Sequence, residues 1–231
     1  MSDADKAGAT ETTAHILLPV MLSVVAGMVD LTGFLTLGNL FTAHVTGNIA
    51  ILAAVLARDE GPRLIQLLII PMFLVAIVAA RCVANIARSR RVSPLRVLLA
   101  IQFLLLSIAL TLSIAALPSA PAHSPATDVI AAVVTSAMAF QFILVRTMLP
   151  GRPSTVTMTT NLADTVLLLL EARTEVTRQR LRRTVPVVLG FFAGCVIAGV
   201  AVRWLHDAAW AFPAGVAALA LLIDDQGPDR E

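Results

Sequence analysis

Apolar residues run along this chain in blocks longer than most soluble helices need. Six blocks, 16–38, 64–87, 95–117, 128–149, 184–205 and the shorter 208–223, approach the ~20 residues a helix requires to cross a bilayer. Two further segments, 41–57 and 154–170, hold 17 residues each. At ~1.5 Å per residue they reach ~26 Å, short of a hydrocarbon core near ~30 Å. They either cross, for a total of eight spans, or dip into the membrane and return. The second is rich in hydroxyls and carries Asn161 and Asp164, so it is expected to pack inside protein or line a cavity and not to face lipid.

Cation placement separates the two counts. The loop 88–96 holds Arg88, Arg90, Arg91 and Arg96 with no acid, which places it on the cytoplasmic side. With Arg81 set aside as intramembrane, six crossings leave 13 Lys and Arg inside and 3 outside, namely Arg58, Arg63 and Arg203. Eight crossings move the five arginines of 171–183 across and give 7 against 9. The positive-inside rule therefore predicts six crossings, with both termini cytoplasmic. The organisation that follows is a cytoplasmic tail 1–14, a membrane unit 15–117, an extracytoplasmic loop 118–127, a second membrane unit 128–223 and a cytoplasmic tail 224–231. Asp3, Asp5 and Glu11 against Lys6 give the N-terminus the wrong charge balance for a secretory signal, so the first block counts as a span. Trp204 and Trp210 flank the last outer turn, where interfacial anchors are expected.

The two units resemble each other at an offset of about 113 residues. Thr46-Gly47-Asn48 falls on Thr159-Thr160-Asn161, and the small-residue stripe Ala76, Ala80, Ala84 falls on Gly190, Gly194, Ala198 with one residue of slip. Three crossings per unit would set the units upside down relative to one another, an arrangement that places substrate sites near the midplane on discontinuous helices. Asn48 and Asn161 stand where helix N-caps are expected, each followed by an apolar run. Two half-helix N-termini meeting at mid-depth would favour an anion or the oxygens of a polar solute.

Within this frame Asp30 is the leading candidate, because an ionised carboxylate inside a span costs at least ~2.5 kcal/mol unless it is paired or hydrated. It reads either as a protonatable, solute-binding group or as the partner of Arg81 or Arg146. His44 and Asn48 lie at i and i+4 in the first dip; Thr157, Asn161 and Asp164 share one face of the second. Together with Thr46 these residues form the expected substrate-binding set. His44 reads equally as a proton acceptor or as a hydrogen-bonded structural histidine, and the threonine hydroxyls as site groups or as donors to their own helix carbonyls. Gly190 and Gly194 form a small-xxx-small face, for packing within the chain by default and for a homodimer seam as the alternative.

Composition agrees with the pattern. At 58% hydrophobic, 14% charged and a mean hydropathy of +0.86, the chain departs far from the ~25% charged, ~45–50% apolar soluble average. The fold class is thus an all-α integral membrane protein. A net charge of +2 with arginines in short runs argues against nucleic-acid binding. Cys82 and Cys195 lie inside apolar blocks and read as inert buried thiols. No metal-ligand spacing, nucleophile elbow or phosphate loop occurs, so no metal, cofactor or enzymatic activity is expected.

The run Gly27-Met28-Val29-Asp30-Leu31-Thr32-Gly33-Phe34, followed by Leu37-Gly38 and His44-Val45-Thr46-Gly47-Asn48, resembles the YoaK-like family of bacterial inner-membrane proteins, a domain of unknown function, over about residues 15–223. The resemblance implies a multi-spanning bacterial inner-membrane protein and marks Asp30 and the Thr46–Asn48 turn as part of the family pattern; it assigns no catalytic residue or cofactor. The functional expectation is a small-solute transporter or channel in the lipid bilayer, acting on a small polar or anionic solute. A non-transporting scaffold or assembly partner is the alternative.

Overall fold

The computed structural model describes the backbone of residues 3–59, 61–116, 124–155, 158–171 and 174–223, and side chains from Ile16 onward. Among the described residues every regular element is helical: α1 (Asp3–Thr36), α2 (Gly47–Ala57), α3 (Leu64–Ser89), α4 (Pro94–Ala116), α5 (Pro125–Met148), α6 (Met158–Leu170), α7 (Glu175–Leu205), a 3-10 turn (His206–Trp210) and α8 (Ala211–Leu221). Five helical runs are long and apolar enough to cross a membrane, the last being Glu175–Leu221. That last run is broken at His206, whose φ of 48° is incompatible with a continuing helix. Helix α8 turns back from there to pack on α1 and α4.

Local chemistry sets the ends. Gly38 (φ 73°) closes α1 in a Schellman arrangement, with the Asn39 N–H donating to the Phe34 carbonyl at 3.1 Å. Ser124 caps α5, accepting from the Thr127 N–H at 3.3 Å, and Pro125 follows at the first helical position. Thr174 caps α7 in the same way, with Glu175 in the first turn. Helix α7 therefore begins nine residues before the apolar block that announces it, and Arg178–Arg183 belong to its first turns, not to a loop.

Helices α1 and α5 form the centre. In each, 67% of the most apolar window is buried, against 22% for α3 and 33% for α4. The packing pairs follow one rule: α1 lies on α7 as α5 lies on α3, and α1 lies on α8 as α5 lies on α4. The stripe Ala76, Ala80, Ala84 is buried in α3, and Gly190, Gly194 and Ala198 are buried in α7. Gly190 and Gly194 face Val20 and Val24 of α1, and a Cβ on Gly194 would overlap the Val24 carbonyl; the small-residue face is thus occupied by α1 of the same chain. Gly27 meets Phe191 of α7 as closely. Outward, α3 and α7 expose Leu67, Val75, Val78, Leu189 and Val196, the apolar surface a bilayer would solvate.

A layer of amides divides the core. The Gln102 side chain donates to Gln141 Oε1 at 2.6 Å, and Gln141 Nε2 donates to the Leu22 carbonyl at 2.8 Å and to Thr155 Oγ1 at 2.9 Å. On one side of this layer lie Leu98, Phe140 and Leu144, on the other Leu106, Ile130 and Trp210. Trp210 is fully buried in that second cluster and is no interfacial anchor, whereas Trp204 is 73% exposed beneath the Arg203 guanidinium. Cys82 is exposed on the outside of α3 and Cys195 half-buried, so neither is the fully buried thiol expected.

Helices α2 and α6 are short. Their 11 and 13 residues extend ~16 and ~20 Å. The chain that leaves α1 at Leu37 is back beside Leu37 at Arg63, whose guanidinium donates to the Leu37 carbonyl at 3.0 Å and pairs with Asp128 at the start of α5. Segment 38–62 thus departs from and returns to one end of the bundle. At the opposite end the turn 149–155 and α6 double back on α7, so that Arg152 and Arg183 line one pocket. Both short helices are peripheral. Against the expectation for 154–170, α6 leaves Thr159, Thr160 and Asp164 exposed, because only Met158 and Asn161 turn inward from it.

Candidate functional site

Asp30 sits within α1, two turns before the helix ends, and is 4% exposed. The loop after α1 folds back over it. The backbone N–H groups of Thr42, Ala43 and His44 donate to Asp30 Oδ1 at 3.1, 2.6 and 3.1 Å, and the His44 N–H also reaches Oδ2 at 3.2 Å. The His44 ring closes the arrangement through Nδ1 on Oδ2. A carboxylate held by converging backbone donors is an anion nest, and the anion is what gives those three donors a partner in an apolar environment. Arg81 and Arg146 are both exposed and take no part, so the ion-pair reading with either does not hold.

The nest fixes His44. Because Nδ1 is engaged by Asp30, Nε2 is the ring nitrogen left for another partner. The ring packs edge-on against Phe191 of α7 at 5.4 Å between centroids. Beside it opens a pocket of about 460 Å³ walled by Leu31, Phe41, Phe191 and Cys195, with Asp30, His44 and Thr46 on its lining. It combines apolar walls with one acid–imidazole pair, the composition of a small-molecule site.

Asn48 plays a different part from the one its position suggests. The N-cap of α2 is Thr46, and Asn48 lies inside the helix. Its side chain reaches back seven residues, donating from Nδ2 to the Phe41 carbonyl at 2.7 Å and accepting the Phe41 N–H on Oδ1 at 2.9 Å. The first N–H groups of α2 donate to the carbonyls of His44, Val45 and Thr46, so this helix N-terminus is spent within the turn and holds no free donors for an anion. Asn161 repeats the device, donating to the Ser154 carbonyl, again seven residues back. Both asparagines therefore staple a loop.

The expected set is divided. Asp30, His44 and Thr46 share the pocket just described, with Asn48 bracing its loop; Asn161 and Asp164 line a second pocket with Arg152 and Arg183. Thr157 lies outside the described residues. The two turns do not form one common pocket. Gln102 and Gln141, which hold the second loop through Thr155, were not among the expected residues, although a lone amide in an apolar span is the signal that marks them.

Residues 18–223 match the family model described as Protein of unknown function (DUF1275). No curated protein and no solved structure matches the chain.

Proposed function

The chain belongs to the DUF1275 family of proteins of unknown function, and from that premise we propose a small-solute membrane transporter or channel with its site at Asp30 and His44. The observation that carries this reading is the open pocket of about 460 Å³ that reaches the buried Asp30 carboxylate and the part-exposed His44 ring paired with it. A scaffold has no need of a cavity at such a pair. The pocket suits a compact solute with an apolar body and one hydrogen-bonding group directed at His44 Nε2. His44 is the proton-handling group and Asp30 its orienting partner, since Asp30 is committed to three backbone donors.

The architecture proposed is six crossings and two re-entrant half-helices, built as two oppositely oriented units. Three observations support it: the return of the chain to Leu37 at Arg63, the paired packing of α1 with α7 and α5 with α3, and the seven-residue staples Asn48–Phe41 and Asn161–Ser154 at the same offset. We place the arginine-rich end, with Arg88–Arg96 and Arg178–Arg183, in the cytoplasm of a bacterial inner membrane.

Proteoliposomes loaded with a pH-sensitive dye test the reading. A panel of inorganic anions, small carboxylates, amino acids and small amines is applied as inward gradients. Wild-type protein is expected to couple at least one of these to an internal pH change, and His44→Gln to lower that rate at least tenfold while counter-exchange persists. No response to any member, or equal rates in wild type and variant, would contradict a proton-handling site.

A further inference from the structure

A second pocket, of about 630 Å³, opens at the arginine-rich end between the turn 149–155, α6 and the first turns of α7. Arg152, Arg180 and Arg183 line it, together with Asp164 and Glu171. Among the described residues no carboxylate lies within ion-pair distance of any of these arginines. Arg152 is partly withdrawn from water, and burial, reinforced by the neighbouring Arg183, pulls its pKa below the usual guanidinium range. Like charges brought together with no carboxylate paired to them raise the energy of the folded chain unless something else compensates them.

The placement is built and not incidental. Gly151 (φ 74°) turns the chain, the Ser154 carbonyl is held by Asn161, and Thr155 is tied to Gln141 in the core. Arg152 is thus presented from an anchored loop. Arg183 stands on α7, one residue before the buried Thr184. Two guanidinium groups lining one cavity supply the paired N–H donors that a tetrahedral oxyanion accepts from.

We infer that this pocket binds a phosphate-type oxyanion between Arg152 and Arg183. The site is separate from the Asp30 pocket and stands whether or not that pocket transports. The same chemistry is offered by free phosphate and by the headgroup of an anionic phospholipid.

Thermal melting of the full-length, delipidated protein in neutral detergent distinguishes the sources. The probes are inorganic phosphate and micelles doped with phosphatidylglycerol, with phosphatidylcholine as reference. Stabilisation by inorganic phosphate assigns the site to a free oxyanion; stabilisation by phosphatidylglycerol alone assigns it to a headgroup. In either case Arg152→Gln and Arg183→Gln should weaken the apparent affinity at least tenfold, whereas Arg183→Lys should retain part of it and Arg178→Gln, outside the pocket, all of it. Without anion, Arg152→Gln should melt no lower than wild type, since it removes a repulsion. Wild type indifferent to both probes, unchanged affinity in Arg152→Gln and Arg183→Gln, or a lower ligand-free melting temperature in Arg152→Gln would each overturn the inference.

Discussion

Asp30 and His44 sit in one hydrogen-bonded unit but carry different loads. Removing the carboxylate strands the N–H groups of Thr42, Ala43 and His44, and each buried, unpaired donor costs ~1–3 kcal/mol. Asp30→Ala should therefore destabilise the protein by roughly 3 kcal/mol or more. His44→Ala leaves those backbone bonds intact and should cost clearly less. Melting temperatures of the two variants in detergent check the order; equal losses would make His44 as structural as Asp30. Asp30 was legible in the sequence because a lone acid in an apolar block demands a partner. Its partners were not, since they are mostly backbone groups that residue identity does not encode. Asn48 reads as a helix cap in the sequence because a capping asparagine and one that staples the chain seven residues back share the same context, a turn followed by an apolar run. Trp210 failed for a related reason: proximity to a span end suggests an anchor, but the 3-10 turn swings it into the core.

Elements meet here through small residues. Gly27 and Gly194 let α1 and α7 approach until a Cβ on either would overlap the opposing backbone. A methyl that backbone cannot yield to forces the helices apart, and such overpacking costs ~1–3 kcal/mol. Gly194→Ala should lower the melting temperature measurably, while Gly215→Ala, where a Cβ meets open space, should leave it near the wild-type value. A Gly194→Ala variant as stable as wild type would mean that the two helices do not touch along this seam. Six apolar blocks and the two short segments were readable from length and hydropathy alone. The start of α7 was not, because its first turns are charged and amphiphilic helix carries no transmembrane signal; nor was the mostly exposed surface of α6, whose hydroxyls suggested burial.

At the scale of the molecule, two central helices, α1 and α5, each carry a loop folded back toward mid-bundle. The first loop is held by Asp30, the second by Gln141, and one asparagine staples each. An offset of 113 residues sets Asn161 on Asn48 and Ser154 on Phe41; the chemical difference between the two sites does not follow from it. One loop meets an acid and an apolar pocket, the other a pair of arginines gathered from α7 and the turn before α6, residues about 30 positions apart that only the fold-back of α6 unites. The account rests on that fold-back. Its most direct test is the side of the membrane on which Thr177 lies, at the head of α7. With Cys82 and Cys195 replaced by alanine, Thr177→Cys and, as reference, Asp59→Cys are labelled with a membrane-impermeant maleimide in right-side-out and inside-out vesicles. Re-entrant α2 and α6 predict opposite behaviour: Asp59→Cys labelled only from the outside, Thr177→Cys only from the inside. Both positions labelled from the outside would mean that α6 crosses, and the opposed loops would not exist.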